Sequence, residues 1–177
     1  TIKDLCERMN RGSLEVRAYF QREYVWGKKA KLKGKLIESV LLGLPIPVVY
    51  LSEEPDGKLL VIDGQQRLQT FHDFRSKEKG FPLKGLSILS ELNDYTYEML
   101  GNKHDSVIKS LTDVLGDLQD QIDNYPIKVI KILKETQKDI KFEIFERLNR
   151  GSVILNEQEL RNCIYQGNFN DLIKKLR

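Results

Sequence analysis

Asp63-Gly64-Gln65-Gln66-Arg67 lies where a strand pattern gives way to a helix pattern, and the reading of that junction decides the fold. Upstream, Leu59-Leu60-Val61-Ile62 is a short apolar run of strand type. Downstream, Leu68, Phe71 and Phe74 recur every third residue, as on one face of a helix. A strand that enters a helix through a glycine presents unpaired backbone N–H groups together with the positive end of the helix dipole, a setting suited to an anion. Arg67, in the first turn, offers a planar fork of donors to a phosphate, and the carboxamides of Gln65 and Gln66 can orient a water or grip a ribose or base edge. Asp63 is either the helix N-cap or a ligand for a hard metal. The plainer reading is a capped helix with polar side chains facing water, and one short motif does not decide between the two.

The 177 residues suit one domain with a real core. At 40% hydrophobic and 31% charged, the composition is that of an ordinary soluble protein and excludes a disordered one. Net charge is +3, from 29 basic and 26 acidic side chains, and so small an excess is no argument for nucleic acid unless the basic residues cluster. No apolar run reaches membrane-spanning length and no signal peptide is present. Cys6 and Cys163 lack CxxC spacing, which excludes a zinc ribbon or disulfide scaffold and fits a reducing cytoplasm. Helical periodicity already runs from Thr1 and is still running at Lys174-Lys175-Leu176-Arg177, as expected for a domain excised from a longer chain.

Working upstream, residues 2 to 10 read as a helix ended by Gly12, and Leu14 to Ala18 as a short strand. Tyr19 to Trp26 is dense in aromatics; Tyr24 and Trp26 suit a loop pinned by buried rings, and Arg22 among them suits an anion or a stacked ring. Residues 28 to 43 form a helix with Leu32, Leu36, Ile37, Val40, Leu41 and Leu44 as its apolar stripe, stopped by Gly43 and Pro45. Its opening, Lys28 to Lys35, is strongly basic: a solvated face, or a contact to a nucleic-acid backbone. Val48 to Leu51 and Leu59 to Ile62 flank a Pro-Asp-Gly turn and predict a hairpin.

Downstream, residues 88 to 124 predict two or three polar helices, among them Thr96 to Leu100 and His104 to Ile122. Ile127 to Ile132 alternates as a half-exposed strand, and Lys138 to Arg150 is helical. Glu146, Asn149 and Arg150 stand at i, i+3 and i+4, which groups them on one face. A carboxylate, a carboxamide and a guanidinium so placed can hold Mg²⁺ and a polyphosphate, or simply form a surface ion pair. His72 and His104 lack metal spacing.

Three blocks taken together resemble a known family: Gln21-Arg22 with Tyr24 and Trp26; Ile62-Asp63-Gly64-Gln65-Gln66-Arg67-Leu68; and Phe145-Glu146-Arg147-Leu148-Asn149-Arg150-Gly151 running into Leu155 to Asn162. The likeness is to the N-terminal domain of GmrSD-type modification-dependent restriction proteins, and it is weakest across residues 80 to 124. That family is itself similar to ParB and sulfiredoxin. In ParB a Gln-Pro-Arg block, a Gly-Glu-Arg-Arg block and a Glu-Asn-x-x-Arg block surround a nucleotide. Here Phe20-Gln21-Arg22, Gly64 to Arg67 and Glu146 to Arg150 stand in those places, with Gln65 for a glutamate, Gln66 for an arginine and the asparagine displaced to Asn149.

The resemblance implies an α+β domain of ParB/sulfiredoxin type, a small mixed β-sheet with a helical C-terminal half. It implies binding and hydrolysis of a nucleoside triphosphate, GTP, ATP or CTP, with Mg²⁺. Asp63, Gln65, Gln66 and Arg67 would be the catalytic signature, Gln21, Arg22, Gly64, Arg67, Asn149 and Arg150 the nucleotide contacts, and Asp63 and Glu146 the metal ligands. An HNH-type nuclease is expected beyond Arg177, with DNA reached through the full-length protein, and a homodimer is a further expectation. Two alternatives stand beside this: a DNA-binding or DNA-cleaving domain using Lys28 to Lys35, and a nucleotide-switched dimerising clamp that hydrolyses little.

Overall fold

Helix α1, Ile2–Asn10, opens with a reciprocal cap in which the Thr1 hydroxyl accepts the Asp4 N–H at 3.2 Å. Gly12, at φ +69°, follows its end, and the chain enters the short strand β1, Leu14–Glu15. The structure is a computed structural model, and it describes residues 1–16 and 25–149; of the predicted strand to Ala18, Val16 already lies past the end of β1, and residues 17 and 18 fall outside the described residues. A 3-10 turn, Val25–Lys28, leads into α2, Ala30–Leu41. Strands β2, Val49–Glu53, and β3, Leu59–Asp63, form the expected hairpin, with Tyr50 opposite Asp63 and Glu53 opposite Leu59. Helix α3, Gln65–Arg75, follows, then α4 (Tyr97–Leu100), α5 (Ser106–Leu115), α6 (Leu118–Asn124), β4 (Val129–Ile132) and α7 (Lys138–Asn149).

The sheet is small and mixed, as expected, in the order β1-β3-β2-β4; β1 runs parallel to β3 and β4 parallel to β2, while β2 and β3 are antiparallel. Alternation along β3 divides its side chains between two layers. Val61 joins Leu14, Val49 and Leu51 under Leu5 of α1 and Leu68 of α3. Leu60 and Ile62 join Ile132 and Tyr50 on the opposite face, under Ile144 and Leu148 of α7. A larger helical core continues beyond the first layer, where Ile37 and Val40 of α2 meet Phe71 and Phe74 of α3 and Leu100, Ile108, Leu118 and Ile122.

Two expectations about helices need correction. The stripe on α2 is rotated at its start: Leu32 is 43% exposed, whereas Lys33 and Gly34 are buried. The cause lies in the segment that packs there. A Cβ on Gly34 would lie 2.1 Å from the Lys84 carbonyl oxygen, so the closest approach of that segment falls on the glycine and displaces the leucine outward. Leu44, past the end of α2, is also exposed. The predicted helix from His104 to Ile122 is two helices, because Gly116 closes α5 and the Asp117 carboxylate caps α6 through the Gln119 and Asp120 N–H groups.

Glu38, buried on α2, fastens the helix to the segment after it. Its Oε1 accepts the successive N–H groups of Ser87, Ile88 and Leu89 at 2.8, 2.7 and 2.9 Å. Cys6 is buried and free, and Cys163 falls outside the described residues. No helix among the described residues is long and apolar enough to cross a membrane.

Candidate functional site

The junction after β3 is built on Gly64, which sits at φ +96° in the N-cap position of α3. A side chain there is refused twice. The left-handed backbone disfavours L residues, and a Cβ would lie 2.8 Å from Val49 Cγ2. Because glycine holds the cap position, Asp63 is not the N-cap, and α3 begins with no side-chain cap from the described residues on its first-turn N–H groups. The helix's own ladder starts with the Leu68 N–H on the Gly64 carbonyl at 3.0 Å. The N–H groups of Gln65, Gln66 and Arg67 precede that ladder.

Arg67 faces inward. Its Nη2 donates to Asp63 Oδ2 at 2.9 Å and to the Val48 carbonyl at 3.2 Å, and its Nη1 donates to the Pro47 carbonyl. Burial pulls the guanidinium below its ordinary pKa, partly offset by the Asp63 carboxylate. The side chain is 13% exposed against 45% for Asp63, whose Oδ1 accepts no hydrogen bond from the described residues. The residue read in the sequence as a phosphate fork is thus also a tie between the start of β2 and the first turn of α3.

The two glutamines separate. Gln66 Oε1 accepts the backbone N–H of Trp26 at 3.1 Å, which seats the Val25–Lys28 turn on the first turn of α3. Gln65 is half-buried and makes no side-chain hydrogen bond among the described residues. Deeper on α3, the Thr70 hydroxyl donates to the Gln66 carbonyl at 2.7 Å and Gln69 Nε2 donates to Asp73 Oδ1 at 2.8 Å.

The third sequence block approaches from the other face of the sheet. Lys141 Nζ donates to the Glu53 carbonyl at 3.4 Å, at the end of the hairpin remote from Asp63. From there α7 packs Ile144 and Leu148 against the cluster of Leu60, Ile62 and Ile132. Glu146 and Asn149 lie on that helix, and their side chains fall outside the described residues, as do Gln21, Arg22 and Arg150 entirely. Trp26, four positions after Arg22, is the part of the first block that is placed, and it is placed on the signature helix.

The lysine-rich opening of α2 splits by environment. Lys28, Lys29 and Lys31 are exposed and form no ion pair among the described residues, while Lys35 reaches Glu38 Oε2 at 3.2 Å. Lys33 is only 8% exposed and lies 3.7 Å from the centroid of the Phe81 ring; burial lowers its pKa, with Asp73 acting in the opposite sense. His72 Nε2 pairs with Asn10 Oδ1 at 2.7 Å.

Sequence reasoning missed the carbonyls of Pro47 and Val48, the Trp26 N–H and the Val49 methyl, all of which complete the junction. Main-chain groups leave no residue-type signal. The one available pointer was Pro45-Ile46-Pro47, whose prolines hold the chain extended and leave carbonyls free of any ladder.

No curated protein and no solved structure matches the chain. A family profile does: the one described as the GmrSD restriction endonuclease, N-terminal domain, matches residues 2–166, which takes in the signature junction, the Trp26 turn and α7 alike. The chain belongs to the family of GmrSD restriction endonuclease N-terminal domains, and with it to a restriction system of antiviral defence.

Proposed function

We propose that this domain binds and hydrolyses a nucleoside triphosphate at the N-terminus of α3 and thereby regulates DNA cleavage by the restriction protein of which it is part. The observation that carries the reading is the junction itself. Strand β3 runs into a glycine in the left-handed region, and the helix that follows starts with first-turn N–H groups that no side chain among the described residues caps. Such a terminus attracts phosphate oxygens by hydrogen bonding and by the helix dipole together. The ParB-like alternation of three blocks around a nucleotide gives the same placement by resemblance.

In this reading the N–H groups of Gln65 and Gln66 receive phosphate oxygens and Gln65 orients the attacking water. Arg67 contributes positive charge from behind the site while holding Pro47 and Val48. Asp63 has an oxygen left over from Arg67, and with Glu146 it is the carboxylate that would hold Mg²⁺. Among the described residues no group of three potential ligand side chains converges. The ion's role would be to neutralise charge on the transferring group. Gln21, Arg22, Asn149 and Arg150 are the remaining proposed nucleotide contacts.

Titration of the domain with ATP, GTP and CTP in the presence of Mg²⁺, with phosphate release followed in parallel, tests the proposal. Saturable binding of one nucleotide, with turnover lost in Gln65→Ala, is expected. Absence of binding for all three contradicts it. A second reading draws on the exposed Lys28, Lys29 and Lys31: a contact to the phosphate backbone of DNA, which predicts nucleotide-independent duplex binding that weakens steeply with salt.

A further inference from the structure

We infer that Gln66 is a positioning residue that latches the Trp26 turn to the signature helix, and that of the two carboxamides only that of Gln65 is left to meet the ligand. The inference rests on the reading of the α3 N-terminus as a triphosphate site for its functional part, but not for its structural part. Gln66 Oε1 accepts the Trp26 N–H at 3.1 Å across forty positions of sequence. Its own backbone N–H lies in the uncapped first turn of α3. One residue therefore presents main chain to the ligand side and side chain to the Val25–Lys28 turn. That turn continues directly into α2, since the Lys29 N–H bonds the Trp26 carbonyl at 2.9 Å and the Lys33 N–H bonds the Lys29 carbonyl at 3.2 Å. Trp26 also packs against the helical core that α2 and α3 share. Any adjustment of the first turn of α3 on ligand binding is thus transmitted to Trp26 and to the exposed lysines that follow it.

Gln65 has no such tie. It adjoins the same uncapped terminus, is half-buried, and makes no side-chain hydrogen bond among the described residues. Two adjacent carboxamides so differently engaged cannot do the same work.

Trp26 is the chain's single tryptophan, so its emission reports on the latch without a label. The experiment compares wild type with Gln66→Met, which keeps the length and lacks the carbonyl, and with Gln66→Glu, which keeps an acceptor and lacks the amide donors. In the nucleotide-free protein the Trp26 amide should exchange about fivefold to tenfold faster in Gln66→Met, with a red-shifted emission, and as in wild type in Gln66→Glu. Unchanged exchange and emission in Gln66→Met would overturn the latch, whatever the nucleotide does. With saturating nucleotide and Mg²⁺, kcat should fall in Gln66→Met and recover in Gln66→Glu, charge repulsion by the new carboxylate raising KM only. Equal loss of kcat in both variants makes the amide donors the working group and overturns the assignment. Failure of wild type to bind any nucleotide overturns the triphosphate reading instead, and the Trp26 exchange comparison still decides the latch.

Discussion

Arg67 Nη2 stands 2.9 Å from Asp63 Oδ2, one helical turn apart across the strand-to-helix junction, and the same guanidinium holds the carbonyls of Pro47 and Val48. A single side chain thus joins the start of β2, the end of β3 and the first turn of α3. Arg67→Ala should lower stability by about 1–3 kcal/mol through the lost charge-assisted bonds. Arg67→Lys should recover less than half of that, since an ammonium cannot fork. Urea denaturation measures both, and an Arg67→Ala midpoint equal to wild type would mean that the guanidinium acts on a ligand alone.

Gly64→Ala meets two obstacles that can be separated. The left-handed backbone costs about 1–2 kcal/mol for an L residue, and the new methyl collides with Val49 Cγ2, 2.8 Å away. In calorimetry Gly64→Ala should unfold several degrees below wild type. Adding Val49→Ala should relieve the collision and not the backbone strain, which leaves a favourable coupling of about 1 kcal/mol between the two changes. Additive effects would show that Val49 does not crowd the junction.

The junction was legible because a short unbroken apolar run of strand type ends at Ile62 and Leu68, Phe71 and Phe74 follow with helical spacing. What holds it was not. Apart from Asp63, the partners of Arg67 and Gln66 are main-chain atoms nineteen, twenty and forty positions away, and only the folded topology brings them in. Likewise Glu38 sits among apolar neighbours and reads as an interruption of a stripe, until the N–H groups of Ser87 to Leu89 converge on it. The break at Gly116-Asp117 did carry a signal, a helix stop followed by an N-cap, which helical periodicity on both sides obscured. The glutamine, arginine and asparagine contacts assigned by resemblance to Gln21, Arg22, Asn149 and Arg150 fall on side chains outside the described residues.

Glu38 gives the fold an acid-sensitive fastening. Burial alone would raise its pKa, but the Leu89, Ile88 and Ser87 N–H groups and Lys35 outweigh burial and hold the carboxyl below its ordinary value. A carboxyl depressed in the folded state adds stability that is fully present above its unfolded pKa of about 4.3 and is lost as pH falls through the lower folded value. At pH 7, Glu38→Gln should be less stable than wild type by about 2 kcal/mol. The gap should narrow steadily below about pH 4, the ordinary carboxylate range. A gap that does not change with pH would show that Glu38 acts through shape and not charge.

Arg75 and Asp123 tie α3 to α6, with Nε to Oδ1 at 2.7 Å and Nη2 to Oδ2 at 3.0 Å, and the Tyr97 hydroxyl of α4 donates to the same carboxylate at 2.8 Å. Burial first, then the neighbouring carboxylate, pushes the Tyr97 phenol up to about 12. Removing one partner of this largely buried pair leaves an uncompensated charge, so Asp123→Leu should cost about 3 kcal/mol. The double change Arg75→Met with Asp123→Leu should regain most of it. A double variant as unstable as the single one would mark the network as irreplaceable for the packing of α4.

The first turn of α3, proposed to receive a nucleoside triphosphate, can be watched directly. Backbone amide shifts of Gln65 and Gln66, followed by NMR during titration with Mg²⁺ and the best-binding nucleotide, address it most directly. Downfield movement of both amides that saturates with the binding curve is expected. Saturable binding that leaves those two amides in place, and moves others instead, would contradict it.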